Sequence, residues 1–287
     1  MLLQNLHFGV KGIGIASSIA YMLGLLIMCW YLSKKRYEIL HPNAWHWMNK
    51  YSFRDWGQYI RKGFMPALLN SMNMWAFECL LLFVSWIGKI ELASYTIVIT
   101  LTGFLIQGPK GFASSAEKLV GHALKQNHPK KAKKYAYTAI TFGFISGACF
   151  GSMILFGETL AQLFTNNQEV IDNYTKLSRL VALLVLTDHT QIVEGGVIKA
   201  MRNQKYTELI VALVMICIGV PTSYYLAFKA DMKIIGAYLG IIISIALVAF
   251  VFSLNLCMLV DWNMISHEAA RKNEAKKRNY HIGLVTI

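Results

Sequence analysis

Seven apolar runs divide this chain. Each is long enough to cross the hydrocarbon core of a bilayer, which takes about 20 mostly apolar residues in helical form. They lie at about residues 9–32, 64–87, 92–114, 135–157, 177–199, 207–228 and 234–260. A spanning segment has to satisfy its own backbone hydrogen bonds, so only helices and closed barrels qualify. Barrel strands are about 10 residues long and alternate in polarity. These runs are longer and do not alternate. The expected fold class is therefore all-α integral membrane protein, with about seven transmembrane helices. Composition agrees: 15% of the 287 residues are charged, against about a quarter in a soluble domain.

The net charge of +13 would suggest a nucleic-acid partner in a soluble protein. Here most basic residues lie between the apolar runs, so the bilayer is the expected partner and nucleic acid is not. Basic loops mark the cytoplasmic side of a membrane. Residues 33–63 hold Lys34, Lys35, Arg36, Lys50, Arg54, Arg61 and Lys62, and residues 115–134 include the run around Lys130 to Lys134. Lys199, Arg202 and Lys205 surround the loop near residue 203, and the tail holds Arg271, Lys272, Lys276, Lys277 and Arg278. The intervening loops are poorer in Lys and Arg. The alternation predicts a multi-pass protein with its N-terminus outside and its C-terminus in the cytoplasm. The first residues lack a basic stretch and a clear cleavage site, so the first run reads as a retained span rather than a signal peptide.

Cys29, Cys79, Cys149, Cys217 and Cys257 all fall inside the runs without C-x-x-C spacing. They read as small packing residues, not as a disulfide framework or zinc site. No P-loop, Rossmann glycine pattern, H-E-x-x-H or G-x-S-x-G is present, so neither an enzyme nor an ATP-driven pump is indicated. No cofactor is expected. Asn173-Tyr174-Thr175 is a glycosylation sequon that falls in an expected outer loop. Residues 33–63 mix Trp45, Trp47, Tyr51, Phe53 and Trp56 with basic side chains. That mixture suits a surface-lying linker, and a solvated linker with interfacial anchors explains it equally well. The expected organisation is one helix over 1–32, this linker over 33–63, six helices over 64–260 and a basic tail over 261–287, within which Glu268 to Arg278 reads as a charged, solvated helix.

Acids at membrane depth are the candidate functional groups. A carboxylate at the centre of a span costs roughly 2.5–3.5 kcal/mol on insertion scales, and normally faces a cavity or a partner. Glu78 sits mid-way along the second run and Asp188 mid-way along the fifth. A carboxyl group so placed can hold a proton in one conformation and a cation in another. Gln191 and Glu194 follow Asp188 in steps of three, which keeps them on one broad helical face. Trp75 precedes Glu78 by the same step, and an aromatic ring beside a carboxylate suits an organic cation. Asn73 lies about 140° around the helix from Glu78 and need not share its site. His189 reads as a satisfied interhelical hydrogen bond more readily than as a proton relay. Pro66, Pro109 and Pro221 lie in or beside spans, and Gly108-Pro109-Lys110-Gly111 interrupts the third. Such breaks serve either as plain kinks or as cavity linings.

Several stretches, in order, resemble the multidrug and toxic compound extrusion (MATE) transporters, in particular their eukaryotic branch. Trp75-Ala76-Phe77-Glu78 resembles the segment of the seventh helix that ends in glutamate. Glu91-Leu92-Ala93-Ser94 resembles the opening of the eighth. Gly108 to Ala113 and Val120 to Leu124 resemble the proline-glycine turn and the Val-Gly-Asn-x-Leu-Gly stretch. Asp188, Gln191 and Gly195 to Lys199 resemble the tenth-helix acid and its Gly-Val-Leu-Arg segment. Gly219-Val220-Pro221, Leu226 to Phe228 and Gly236 to Gly240 resemble the turns around the last two helices.

The resemblance implies one helix of a first lobe followed by a complete six-helix second lobe. It also implies proton- or sodium-coupled antiport of organic cations from a cleft between lobes, with Glu78 and Asp188 binding the proton or cation. Asn73 and Thr100 stand where animal members carry acids. With Trp75, Gln191 and Glu194 they are candidate substrate-lining residues. Lys199 stands where arginine is usual, and Glu117 and Lys118 replace small and polar residues. A working partner is expected to be a second copy or a separate first-lobe chain. The alternatives are an incomplete fragment, a non-transporting membrane partner of a full-length relative, and a seven-helix receptor.

Overall fold

The computed structural model describes residues 9–39, 56–201 and 204–285. Among the described residues, seven helical spans are long and apolar enough to cross a membrane: Gly14–Lys35, Gly63–Ile87, Lys89–Lys125, Pro129–Ile154, Gln168–Ala200, Tyr206–Lys229 and Lys233–Leu259. All seven expected spans are present, and the chain is a multi-pass membrane protein. It divides into two units, Met1–Ile60 and Arg61–Ile287.

In the first unit, α1 runs over Gly9–Ile39. Large apolar side chains from Ile15 to Tyr31 are exposed, which suits a span surrounded by lipid. The helix continues past the expected end at residue 32 to Ile39, and α2 (Trp56–Ile87) begins ahead of the expected residue 64. Both ends of the expected 33–63 linker are thus helical. Trp45, Trp47, Tyr51 and Phe53 lie outside the described residues.

The second unit is built around α7 (Gln168–Ala200), which packs against α5 (Pro129–Ile154), α4 (Gln107–Lys125), α3 (Lys89–Leu105) and α10 (Lys233–Leu254). Lipid is as apolar as leucine, so helices associate in a membrane mainly through close packing and interhelical hydrogen bonds. The α5–α7 contact is made that way. Gly143, Gly147 and Gly151 present a bare stripe to α7. A Cβ on Gly147 would lie 3.0 Å from Leu186 backbone, and one on Gly151 3.0 Å from the Ala182 carbonyl oxygen. The partner residues descend as the glycines ascend, so the two helices are antiparallel. Gly240 seats α10 equally closely on α9 (Val220–Tyr224), where the Ser223 hydroxyl donates to the Ala237 carbonyl at 2.9 Å.

Two of the helical irregularities lie at prolines. Proline lacks an N–H, and its ring crowds the carbonyl four residues earlier. Pro109 acts on Leu105, the last residue of α3, and a single residue, Ile106, separates α3 from α4. Pro221 acts on Cys217, within the widened turn Met215–Gly219 that joins α8 (Gln204–Val214) to α9.

Three stretches differ from expectation. Asn167 caps α7, its side chain accepting from the Glu169 N–H at 3.0 Å. The helix therefore starts before the sequon, and Asn173-Tyr174-Thr175 lies in α7, not in a loop, with Tyr174 fully buried. α4 continues past the expected span end at 114 to Lys125, burying Ala116, Val120, Ala123 and Leu124. The tail forms α11 (Trp262–Val285), which begins six residues ahead of the expected charged helix and is docked there, while Glu268, Arg271, Lys272 and Glu274 are exposed as expected. Trp262 and Ser266 are buried, and the Ser266 hydroxyl donates to Asn127 Oδ1 at 3.2 Å.

Candidate functional site

A cavity of about 390 Å³ opens within the second unit among α2, α4, α7, α8 and α10. That size falls in the range of small-molecule sites, about 300–1,000 Å³. Its walls are mostly apolar (Leu69, Phe77, Val211, Met215, Val248 and Phe252 among them), with a set of polar groups on four helices.

Helical spacing decides which side chains reach it. On α2, Asn70 and Asn73 are three residues apart and both line the cavity. On α4, Lys110, Ser114 and Glu117 form a stripe with steps of four and three. On α7, Asp188, Gln191, Gly195 and Lys199 form another, with steps of three, four and four. Two contacts fix how these stripes lie together. A Cβ on Gly196 would sit 2.6 Å from the Ala113 carbonyl oxygen, and one on Gly121 would sit 3.7 Å from that of Ala200. Both residue numbers rise together, so α4 and α7 are parallel, crossing closest at Ala113 and Gly196.

Charge is distributed along the cavity. Lys199 Nζ lies 3.4 Å from Glu208 Oε1, joining α7 to α8. Asp188 stands further along α7, and Lys110 is the cation whose field reaches it. The Oδ1 of Asn73 is buried without a hydrogen-bond partner.

The structure brings together three of the sequence-derived candidates, Asn73, Asp188 and Gln191. It places the others elsewhere. Glu78 lies on an exposed face of α2, as does Trp75, which is 55% exposed. Thr100 is exposed on α3, its hydroxyl turned back to the Thr96 carbonyl at 2.8 Å. Glu194 is buried between α7 and α10, where Ser253 donates to its Oε1 at 2.6 Å and its Oε2 has no partner. His189 is buried with Nδ1 3.3 Å from the Ser146 hydroxyl, and its ring meets Phe150 edge-on.

Sequence reasoning did not select Lys110, Ser114, Glu117, Asn70, Thr207 or Glu208 as lining residues. The signal available was the spacing of Lys110, Ser114 and Glu117 on one helical face.

The comparisons with known proteins agree with this architecture. The MatE family profile matches residues 66–225. Multidrug and toxin extrusion protein 1 of Homo sapiens is 25% identical over 281 residues, which are 97% of this chain and 48% of that protein. Multidrug and toxin extrusion protein 2 of Oryctolagus cuniculus is 24% identical over 271 residues, 94% of this chain and 44% of its own. The chain spans about half the length of the curated relatives it matches. In fold, it resembles the eukaryotic MATE transporter AtDTX14, whose crystal structure aligns with a TM-score of 0.79 at 21% identity. That alignment covers 95% of this chain and 60% of the other.

Proposed function

The chain belongs to the MatE family, a family of transporters rather than enzymes, and on that premise we propose that its second unit is a transport lobe that binds organic cations in the α2–α4–α7 cavity and exchanges them for protons. The observation that supports this reading is the position of Asp188, a carboxyl at membrane depth lining a cavity of ligand size beside Gln191 and Asn73. A proton and an organic cation competing for one carboxyl group is sufficient for antiport, because each displaces the other as the site turns from one side of the membrane to the other. Sodium in place of the proton would use the same group. Family membership removes the receptor reading.

Glu78 has a different part in this proposal. A carboxylate exposed at span depth is costly against lipid. We assign its face of α2, with Trp75 and the exposed Thr100 of α3, to the wall of a cleft whose other side is a further lobe. A second copy or a separate first-lobe chain would supply that lobe. The non-transporting reading gives the same face to a full-length relative. The basic loops orient the Lys199 end of the cavity toward the cytoplasm.

Ethidium uptake into proteoliposomes with an imposed pH gradient tests the proposal. Gradient-driven uptake is expected, reduced at least tenfold by Asp188→Asn and by Glu78→Gln. Uptake unchanged in both variants sinks the site assignment. Uptake absent from this chain alone but restored by a co-reconstituted relative favours the partner reading.

A further inference from the structure

The cavity holds charges of both signs in a fixed order. Lys199 and Glu208 pair with each other, which leaves Asp188, Lys110 and Glu117 to face a ligand. The parallel α4 and α7 set their heights from the Ala113–Gly196 crossing, at 1.5 Å of rise per residue. Asp188 stands about 12 Å from that crossing and Lys110 about 4.5 Å on the same side, while Glu117 stands about 10 Å from Lys110 on the other. Lys110 therefore lies between the two carboxyls, roughly 7 Å in height from Asp188. Lys110 is exposed and lines the cavity.

An organic ligand bearing only positive charge would meet the Lys110 ammonium in the same space that Asp188 makes attractive. A ligand with an acid group as well turns that repulsion into a second anchor. The buried, unpartnered Oδ1 of Asn73 adds an acceptor for an N–H donor. We propose that the cavity selects amphoteric organic ligands, with the cationic amine at Asp188 and the anionic group at Lys110. This rests on the cavity being the ligand site, and it narrows the substrate class from cations to molecules that carry both charges.

The test uses a matched pair of radiolabelled probes. In 4-(aminomethyl)benzoate a rigid ring separates an ammonium from a carboxylate. In 4-(aminomethyl)benzamide the carboxylate is replaced by a neutral group of the same size. Binding is measured on the purified chain in lipid nanodiscs. The acid is expected to bind at least tenfold more tightly than the amide. Lys110→Ala should erase that preference and tighten amide binding, and Lys110→Arg should keep the preference. Equal or tighter binding of the amide to the wild type overturns the proposal, as does a preference that survives Lys110→Ala, or binding of neither probe. Gradient-driven uptake of the same probes separates the two readings. Acid-selective binding without uptake upholds the ligand class and sinks coupled transport. Amide uptake without acid selectivity does the reverse.

Discussion

Lys199 and Glu208 join the end of α7 to the start of α8 through an ion pair of 3.4 Å. The pair is only partly screened, with side-chain exposures of 33% and 14%. Removing Lys199 takes a counter-ion from the mostly buried Glu208 carboxylate. Lys199→Met is expected to lower stability by about 1–3 kcal/mol, and Lys199→Met with Glu208→Met by less than the two single losses summed. Thermal unfolding of the three variants in detergent checks this. Additive losses would show that the pair contributes no coupling.

Gly240 offers a sharper test of packing. A methyl group there would meet the Ser223 backbone nitrogen at 2.3 Å, and backbone cannot move aside as a flexible side chain does. Gly240→Ala should cost about 1–3 kcal/mol despite the better helix propensity of alanine. Gly121→Ala is the control, since its methyl group would find an ordinary 3.7 Å contact. It should be neutral or stabilising by up to about 1 kcal/mol. Equal unfolding temperatures for the two variants would refute the close α9–α10 seating.

The Glu194–Ser253 contact predicts a third pattern. Glutamine keeps an acceptor for the Ser253 hydroxyl, so Glu194→Gln should leave stability within about 0.5 kcal/mol of wild type. Ser253→Ala strands a buried oxygen and should cost about 1–2 kcal/mol. A large loss in Glu194→Gln, measured by thermal unfolding, would mean that the ionised carboxylate itself is needed there.

The spans were legible because apolar length is a strong signal. The helix ends were not, because they depend on caps and on amphipathic continuation. Asn167 starts α7 nine residues ahead of its apolar run. α4 runs past residue 114 because Ala116, Val120, Ala123 and Leu124 bury one face while Lys118 looks out. That extension also hid Lys110. In a span ending at 114 it reads as a terminal lysine reaching for the interface, but in the observed helix it stands in the cavity wall. Asp188 and Gln191 could be found from composition and depth alone. Glu194 shows the limit of counting by threes: each such step falls about 60° short of a full turn. Two steps carry it away from the cavity and onto α10. Glu78 was visible as an acid in a span, but its exposure depends on neighbours that the sequence pattern does not specify.

The contact between Ala113 and Gly196 has a mechanical consequence. It is a pivot point: Lys110 lies on one side of it along α4 and Glu117 on the other. Any rocking of α4 about this point carries the two charges in opposite directions across the face of α7.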